Sequence, residues 1–355
     1  RWVASILGTD STETVNMSIG PDGTVYVTGV FAGTCYFKNS NGGTASTQLN
    51  SVGSSKDIYL AAFSPGGMLL WAKTIGSSRQ EGSPDLAVDA AGIALIRSFV
   101  SPDTILGGLG HTEILLSRFS LAGVHNWTLV AGSTGNDRPT SIDSDGSRIF
   151  CGVMAGGSTL RWQNSSTGVL HHTNQSVNDH VIVAINTDGS WAWSYAIQDP
   201  TNQYAGYPYL SVNCAGLFVT GAVTSSANFP SHPGSMPSNC NAYVLRLNPS
   251  SGAGEMLKVG TASSGSHFVP KAIASGKDGV LHIGGTFVGT VNFAGSTISS
   301  SNGDDLFVLS ITNTGILLKL SQVEGHDDQS MSSIAADAYG GVVVAGRFED
   351  EVRFT

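Results

Sequence analysis

The segment SIGPDGTVYVTG (Ser18–Gly29) decides the fold, because the chain repeats its pattern six times. Each copy has a short apolar run, a turn ending in glycine and a β-branched run, which predict a tight β-hairpin. The other copies are Leu86–Ser98, Ser141–Gly152, Ser211–Gly221, Ala274–Gly285 and Ile334–Gly346. The turn glycines are unevenly spaced, which indicates sheets with variable loops and not a solenoid.

A second hairpin follows the first in every complete copy. The second hairpins are Asp57–Gly76, Glu113–Gly132, Asp179–Ile197, Asn241–Gly260 and Asp305–Gly325. Two hairpins make a four-stranded antiparallel sheet, whose strands we name a to d in chain order. Roughly 23 strands with one pattern exceed what a two-sheet sandwich usually holds. The sequence therefore predicts an all-β fold, a six-bladed β-propeller of four-stranded antiparallel blades.

The two ends of the sequence indicate how this propeller closes. Arg1–Gly8 matches strand d of the other copies, whereas the last copy stops at Thr355 after strand b. We therefore expect one domain, 1–355, whose last blade is closed by the N-terminal strand. The expected blades are 9–76, 77–132, 133–198, 199–260, 261–325 and 326–355 plus 1–8. Either the last blade lacks strand c, or the sequence is an excerpt of a longer chain with neighbouring domains.

Composition narrows the class of protein. Hydrophobic residues make up 41% of the 355 residues and charged residues only 12%, which excludes a disordered chain. The net charge of −9, with only 17 Lys and Arg, provides no basic surface for nucleic acid. Apolar stretches such as Gly67–Ala72 are far shorter than a membrane helix. We expect neither nucleic acid nor an inserted membrane as a partner.

The pattern IxxxDGxVYVTGxFxGTxxF, followed by DxYLAxFxxxGxLLWAxTIG, resembles the β-propeller repeat family of bacterial exported and surface proteins, often called seven-bladed propeller repeats. The likeness covers nearly the whole chain and involves turn and core positions. It therefore implies a fold more than a function. The chain departs from the family in having six copies, and in Arg97 and Ser98 where other copies place Thr and Gly. The resemblance implies a binding, adhesive or scaffold role outside the cytoplasm, extracellular or at the cell surface.

The connections indicate a binding face. Since the strands alternate in direction, the b–c and d–a connections lie at the opposite end from the a–b and c–d turns. The turns are minimal, whereas the b–c connections Lys38–Lys56, Ala155–Asn178 and Val223–Cys240 are long. Variable loops on a regular scaffold commonly carry function. We expect a non-catalytic recognition or adhesion module that binds a glycan or a protein on another cell surface through this long-loop face.

Two aromatic groups are candidates for ligand contact on this face. Gln198–Leu210 offers three tyrosines of the amphipathic kind enriched in contact sites, and Trp162 accompanies two histidines. The candidate ligand-binding residues are Trp162, His171, His172, Asp199, Tyr204, Tyr207 and Tyr209. The alternative is that the tyrosines pack their own loop and the histidines are solvated. Because a metal needs three or four converging ligands, we predict no metal and no other cofactor.

Acidic residues in the d–a connections form a second candidate group. These connections lead to the innermost strands, so their acids are expected at the mouth of the central channel, where they would attract cations or basic ligands. The candidates are Asp10, Glu81, Asp137, Asp327 and Asp328. The alternative is that they only keep the surface polar.

Sequence motifs of catalysis are absent, and NTDGSW (Asn186–Trp191) is only superficially similar to the S-x-D-x-G-x-x-W boxes of glycosidase propellers. We therefore expect no enzyme. A polysaccharide hydrolase or lyase with acids in the channel is the alternative.

Four tryptophans recur at one repeat position, which predicts that they pack between blades. They are Trp2, Trp71, Trp127 and Trp193. Of the four cysteines, only Cys214 and Cys240 are a pair worth testing for a bond.

Overall fold

The computed structural model describes residues 2–38, 47–100, 112–164, 168–173, 178–199, 206–231, 236–237, 239–276, 278–300, 303–325, 327–337, 339–349 and 351–354. The elements among these residues are thirty β-strands and no helix. The expected all-β class is therefore confirmed. The chain divides into two compact units, the first being Arg1–Cys151, Ala155–Thr173 and Ile185–Trp191, the second Gly152–Met154, Asn174–Ala184 and Ala192–Thr355.

The strands are β1 (Ser5–Gly8), β2 (Thr12–Ile19), β3 (Val25–Phe31), β4 (Thr34–Lys38), β5 (Thr47–Asn50), β6 (Asp57–Phe63), β7 (Leu69–Ile75), β8 (Glu81–Asp89), β9 (Gly92–Val100), β10 (Thr112–Phe119), β11 (His125–Gly132), β12 (Arg138–Ser144), β13 (Arg148–Ala155), β14 (Thr159–Asn164), β15 (Gly168–Thr173), β16 (Asp179–Asn186), β17 (Trp191–Ile197), β18 (Tyr209–Asn213), β19 (Gly216–Ala222), β20 (Cys240–Leu247), β21 (Gly254–Ala262), β22 (His267–Ser275), β23 (Val280–Val288), β24 (Thr290–Phe293), β25 (Ser296–Ser299), β26 (Asp305–Thr312), β27 (Leu317–Gly325), β28 (Gln329–Ala336), β29 (Val342–Phe348) and β30 (Val352–Phe354).

Five sets of four strands follow the predicted order a to d. They are β2-β3-β6-β7, β8-β9-β10-β11, β12-β13-β16-β17, β18-β19-β20-β21 and β22-β23-β26-β27, which we call sheets 1 to 5. Within these sets the registered strands pair antiparallel, so the predicted two-hairpin repeat is confirmed. Sheet 6 consists of β28 and β29, while β1 belongs to a separate three-stranded sheet with β4 and β5.

Seven strands lie outside the four-strand pattern of the repeat. They lie in the stretches after strand b and form the hairpins β4–β5, β14–β15 and β24–β25 and the single strand β30. Four pairings attach them to a preceding outer strand: β4 to β1, β14 to β11, β24 to β21 and β30 to β27. The outer strand of a sheet has unpaired backbone N–H and C=O groups, and the inserted strands cover that edge. Of these strands, β5, β14 and β15 lie within the long connections Lys38–Lys56 and Ala155–Asn178, which the sequence analysis expected to be loops.

The core lies between the faces of consecutive sheets. Residues of sheets 1 and 2, including Leu60 and Leu95, form one buried cluster, and residues of sheets 4 and 5, including Phe218 and Phe307, form another. Strand b is buried along almost its whole length in sheets 1 to 5. Each sheet thus depends on a neighbour to cover its apolar face.

The four recurring tryptophans join consecutive sheets. Each indole N–H donates to a backbone oxygen in the c–d turn of the following sheet. These bonds are Trp2 to Pro65 at 2.9 Å, Trp71 to Leu121 at 3.3 Å, Trp127 to Thr187 at 3.1 Å and Trp193 to Pro249 at 2.9 Å. The prediction that these residues pack between neighbouring repeats is confirmed for Trp71, Trp127 and Trp193, while Trp2, which precedes β1, packs on sheet 1.

Candidate functional site

The end of the sheets that carries the b–c and d–a connections has a recurring backbone contact, which we call the sheet junction. At three junctions, the residue that begins or precedes strand a donates its N–H to a backbone oxygen at the start of strand c of the preceding sheet. The bonds are Glu81 to Lys56 at 2.9 Å, Asp137 to Thr112 at 3.0 Å and Gln329 to Asp304 at 2.8 Å. Each acceptor residue is followed directly by a buried acid: Asp57, Glu113 or Asp305.

The first junction brings two carboxyl groups together. Glu81 is 3% exposed and Asp57 is fully buried. The carboxyl group of Asp57 lies near that of Glu81, and Glu81 Oε1 accepts from Ser77 Oγ at 2.8 Å. Burial, with a smaller contribution from Asp57, raises the pKa of Glu81 to about 7, although the positive charge of Arg97 opposes this. Glu81 therefore holds its proton near neutral pH.

The second junction has a similar pair. Asp137 is fully buried and accepts hydrogen bonds from Ser133 N at 2.5 Å, Ser133 Oγ at 2.7 Å and Gly156 N at 2.9 Å. Burial raises the pKa of Asp137 to about 6, although these hydrogen bonds lower it. Burial and the negative charge of Asp137 also raise the pKa of Glu113, while Arg79 lowers it.

The acids expected at a channel mouth therefore fall into two groups. Glu81 and Asp137 lie inside the junctions, where their carboxyl groups do not face solvent. Asp10, Asp327 and Asp328 are exposed, and Asp328 Oδ1 accepts from the backbone N–H of Asp304 at 3.0 Å. Of the five acidic candidates, these three are the ones that face solvent.

Asp85 connects strand a of sheet 2, in which it lies, with strand a of sheets 1 and 3. It accepts hydrogen bonds from the Asn16 side chain in β2, from Ile142 N in β12 at 3.1 Å and from Leu86 N at 2.7 Å. Burial raises its pKa to about 7, and the nearby charge of Asp143 adds to this. Asp85 as a whole residue is half-buried. Since both of its carboxyl oxygens accept these hydrogen bonds, the raised pKa belongs to a carboxyl group that is held inside the fold.

The tyrosine segment is only partly described. Tyr207 and Tyr209 are half-buried, and Tyr204 lies outside the described residues. Asp199 accepts from Thr224 N at 2.8 Å and Thr224 Oγ1 at 2.6 Å, and its own N–H donates to Asp179 Oδ1 at 3.0 Å. These bonds give Asp199 a role in fixing the connection between sheets 3 and 4.

The Trp162 group lies on the hairpin β14–β15. Trp162 is 2% exposed and pairs with Leu170 on β15 and Ala131 on β11. His171 and His172 lie in β15, opposite Arg161 and Leu160, and their side chains are outside the described part of the structure. The buried indole of Trp162 therefore contributes packing to this hairpin.

Two other hairpins present polar outer faces. On β4–β5, Thr34 Oγ1 and Gln48 Nε2 donate to Asn50 Oδ1 at 3.0 and 3.1 Å. On β24–β25, Asn292 Nδ2 donates to Thr297 Oγ1 at 2.9 Å. The inward face of each hairpin is apolar and packs on a buried core cluster. Uncharged hydroxyl and amide groups thus form ordered rows beside the long connections.

No group of three or more metal-ligating side chains occurs among the described residues. Three cysteines are free in the structure, Cys35 and Cys151 buried and Cys214 exposed, while the Cys240 side chain lies outside the described part. In the portion of the chain that the structure describes, no helix has the length and apolar character needed to cross a membrane.

Sequence reasoning missed the partner acids Asp57, Glu113 and Asp305. The available signal was recurrence, because an acidic or amide residue stands near the start of strand c in all five complete copies. Those residues are Asp57, Glu113, Asp179, Asn241 and Asp305.

No protein-family model and no curated protein matches this sequence. Two solved structures are similar to parts of it. The structure of the Dos1 propeller is 8% identical, with a TM-score of 0.45 over 94% of this chain and 75% of that chain. A protein of unknown function from Bacteroides caccae is 11% identical, with a TM-score of 0.36 over 74% of this chain and 89% of that chain. At these TM-scores neither likeness carries an argument about fold or function, and the resemblance to the repeat family stays an expectation.

Proposed function

We propose that this chain is a non-catalytic recognition or adhesion module, extracellular or at the cell surface, that binds a glycan or a protein through its b–c connections. The observation that carries the proposal is the polar outer face of the hairpins β4–β5 and β24–β25. Exposed Gln48, Asn50 and Thr297 offer hydroxyl and amide groups that can both donate and accept hydrogen bonds. Such groups suit a hydroxyl-rich glycan or a polar protein surface.

We propose in addition that the scaffold is a six-bladed β-propeller whose last blade takes β1 as its outer strand. The support comes from burial at the repeat ends. Val343 and Phe348 on β29 are 65% and 57% exposed, whereas the corresponding strand b is buried in sheets 1 to 5. Met17 and Ile19 on β2 are likewise exposed. Apolar strands of this kind need a covering sheet, which ring closure would provide.

A glycan array and a cell-binding assay test the recognition function with two variants. The hairpin variant combines Gln48→Ala and Asn50→Ala, and the tyrosine variant combines Tyr204→Ala and Tyr207→Ala. We expect the hairpin variant to bind its ligand at least about tenfold more weakly, because two or more hydrogen bonds are lost. Ser250→Ala, in a c–d turn at the opposite end, is the matched control and should bind normally.

The tyrosine variant separates the two parts of the long-loop face. Loss of binding in this variant alone would move the contact surface from the hairpins to 198–210. Full binding by both variants would overturn the proposed surface.

Polysaccharide hydrolysis or elimination is the second candidate function, and Asp85 is the observation that favours it. A carboxyl group with a pKa of about 7 can serve as a general acid, and Asp143 places a second carboxyl group near it. The test is the release of reducing ends from a polysaccharide panel, which Asp85→Asn should abolish. A panel without any released ends would remove this candidate.

A further inference from the structure

The junctions between sheets 1 and 2 and between sheets 2 and 3 are built alike. In each, a buried acid near the start of strand c is followed 24 residues later by a second buried acid next to strand a: Asp57 with Glu81, and Glu113 with Asp137. The same backbone bond holds both junctions. The repeat therefore places two carboxyl groups at each of these junctions.

Some carboxylate oxygens in these junctions have no N–H or O–H donor. Among the described residues, none donates to Asp57 Oδ1, Glu81 Oε2 or Glu113 Oε2. Two ionised carboxylates close together and away from water would repel each other and lose hydration. A single proton removes both costs, because the protonated carboxyl donates to the ionised one.

The nearby positive charges are too few to neutralise both carboxyl groups of a junction. Arg97 in β9 lies beside Glu81 and donates from Nη1 to Ser117 Oγ at 3.0 Å, and Ser77 donates to Glu81 from the preceding connection. Arg79 lies near Glu113. Each junction thus contains two carboxyl groups and one nearby guanidinium.

We propose that each of these two junctions is closed by a proton taken from solvent and shared between its two carboxyl groups, so that mild acid tightens the contacts among sheets 1 to 3 and alkaline pH loosens them.

The raised pKa values of Glu81 and Asp137 agree with a shared proton. The folded pKa values of Glu81, about 7, and Asp137, about 6, lie above the ordinary values of 4.5 and 3.8. The folded state therefore binds more protons than the unfolded state between about pH 4 and 7. The stabilisation from these protons is fully present below the ordinary pKa and is lost as the pH rises through the folded pKa.

The junction between sheets 5 and 6 supplies an internal control. It has the same 24-residue spacing and the same backbone bond, but Gln329 replaces the second acid. Its buried acid, Asp305, accepts from Gln322 Nε2 at 3.0 Å and from Gly325 N at 3.1 Å. Burial raises the pKa of Asp305 too, while these two hydrogen bonds lower it. Because residue 329 is an amide, this junction contains no second carboxyl group with which Asp305 could share a proton.

Amide hydrogen exchange of the full chain tests the proposal. The backbone N–H groups of Glu81, Asp137 and Gln329 report the three junctions, with protection factors corrected for the intrinsic effect of pH. Between pH 5.5 and 8.5 we expect protection to fall at least about tenfold at Glu81 and about fourfold at Asp137, relative to Gln329. An equal change at all three amides would overturn the proposal.

Two reciprocal variants separate proton sharing from packing. Glu81→Gln imitates the protonated acid and the natural Gln329 junction, so residue 81 should keep its protection at pH 8.5. Gln329→Glu should give the junction of sheets 5 and 6 a stronger pH dependence than it has in the natural chain. If Glu81→Gln loses protection equally at both pH values, or Gln329→Glu shows no new pH dependence, the shared proton is refuted.

Discussion

Trp193 donates its indole N–H to the backbone oxygen of Pro249 at 2.9 Å, and its ring covers Gly252 in the same turn. Gly252 has a φ of +71°, and a methyl group placed there would lie 2.7 Å from a carbon of the Trp193 ring. This glycine therefore satisfies two requirements, the left-handed turn and the close approach of the indole. The same relationship occurs between Trp71 and Gly123.

The first prediction separates these two requirements. Gly252→Ala should destabilise the chain by about 3 kcal/mol, because backbone strain adds to a collision with the indole. Gly265→Ala is the matched control in the same unit, with a φ of +78° but no atom within 4 Å of the added methyl group. It should cost only about 1 kcal/mol. Urea unfolding measures both, and equal losses would show that the indole does not constrain the turn.

The second prediction concerns the ion pair between Asp89 and Arg118. Their atoms Oδ1 and Nη2 lie 2.5 Å apart, both side chains are buried, and Ser144 Oγ also donates to Asp89 at 2.6 Å. Arg118→Leu leaves a buried carboxylate without its cation and should cost about 3–5 kcal/mol at pH 7. Arg246→Leu breaks the exposed pair with Glu255 and should change the free energy of unfolding by less than about 1 kcal/mol.

A pH series adds a second test of this pair. Burial raises the pKa of Asp89, but hydrogen bonds from Arg118 and Ser144 outweigh it, so the pKa lies below its ordinary value of 3.8. The stabilisation is therefore present above pH 3.8 and is lost as the pH falls through the folded pKa. Arg118→Leu should weaken this acid-dependent loss, and an unchanged pH profile would contradict the assignment.

The third prediction concerns His180. Its Nε2 lies 2.9 Å from Gly206 O and its Nδ1 3.0 Å from Tyr243 Oη. Since a carbonyl oxygen only accepts, Nε2 carries the proton, and Nδ1 of the neutral ring accepts from the tyrosine. Burial lowers the pKa of His180 to about 4.

Stability from the neutral His180 ring should therefore be complete above pH 6.5 and be lost as the pH falls towards 4, by about 3 kcal/mol. His180→Phe should remove this part of the pH dependence from urea unfolding curves. The exposed His125→Asn variant should retain it. A wild-type slope in His180→Phe would show that the ring does not titrate as predicted.

Much of the repeat could be predicted from the sequence because its determinants are local. Turn glycines and alternating strands fix hairpins within about twenty residues, and the recurrence of Trp71, Trp127 and Trp193 at one position predicted their packing role. The strands after strand b were harder to predict. The segments Phe31–Phe37, Phe287–Phe293 and Phe348–Phe354 visibly match in sequence, but their pairing partner is an outer strand from the preceding repeat.

The burial of the junction acids was also hard to predict from the sequence. Sequence reasoning placed Glu81 and Asp137 in the connections between sheets, whereas Glu81 is the first residue of β8 and Asp137 directly precedes β12. Both are buried near Asp57 and Glu113, which lie 24 residues earlier in the chain. A charged residue in a connection is normally exposed to solvent. Only the position of the partner acids would have predicted burial instead.

The inserted strands decide where this chain can be cut or duplicated. The hairpin β24–β25 arises within sheet 5 but completes the edge of sheet 4, and β14–β15 arises within sheet 3 but completes the edge of sheet 2. If one sheet were copied from its first strand to its last, the copy would contain a hairpin separated from the sheet whose edge it covers, and its own outer strand would stay unpaired. A segment that can be duplicated as a unit therefore runs from the middle of one sheet to the middle of the next.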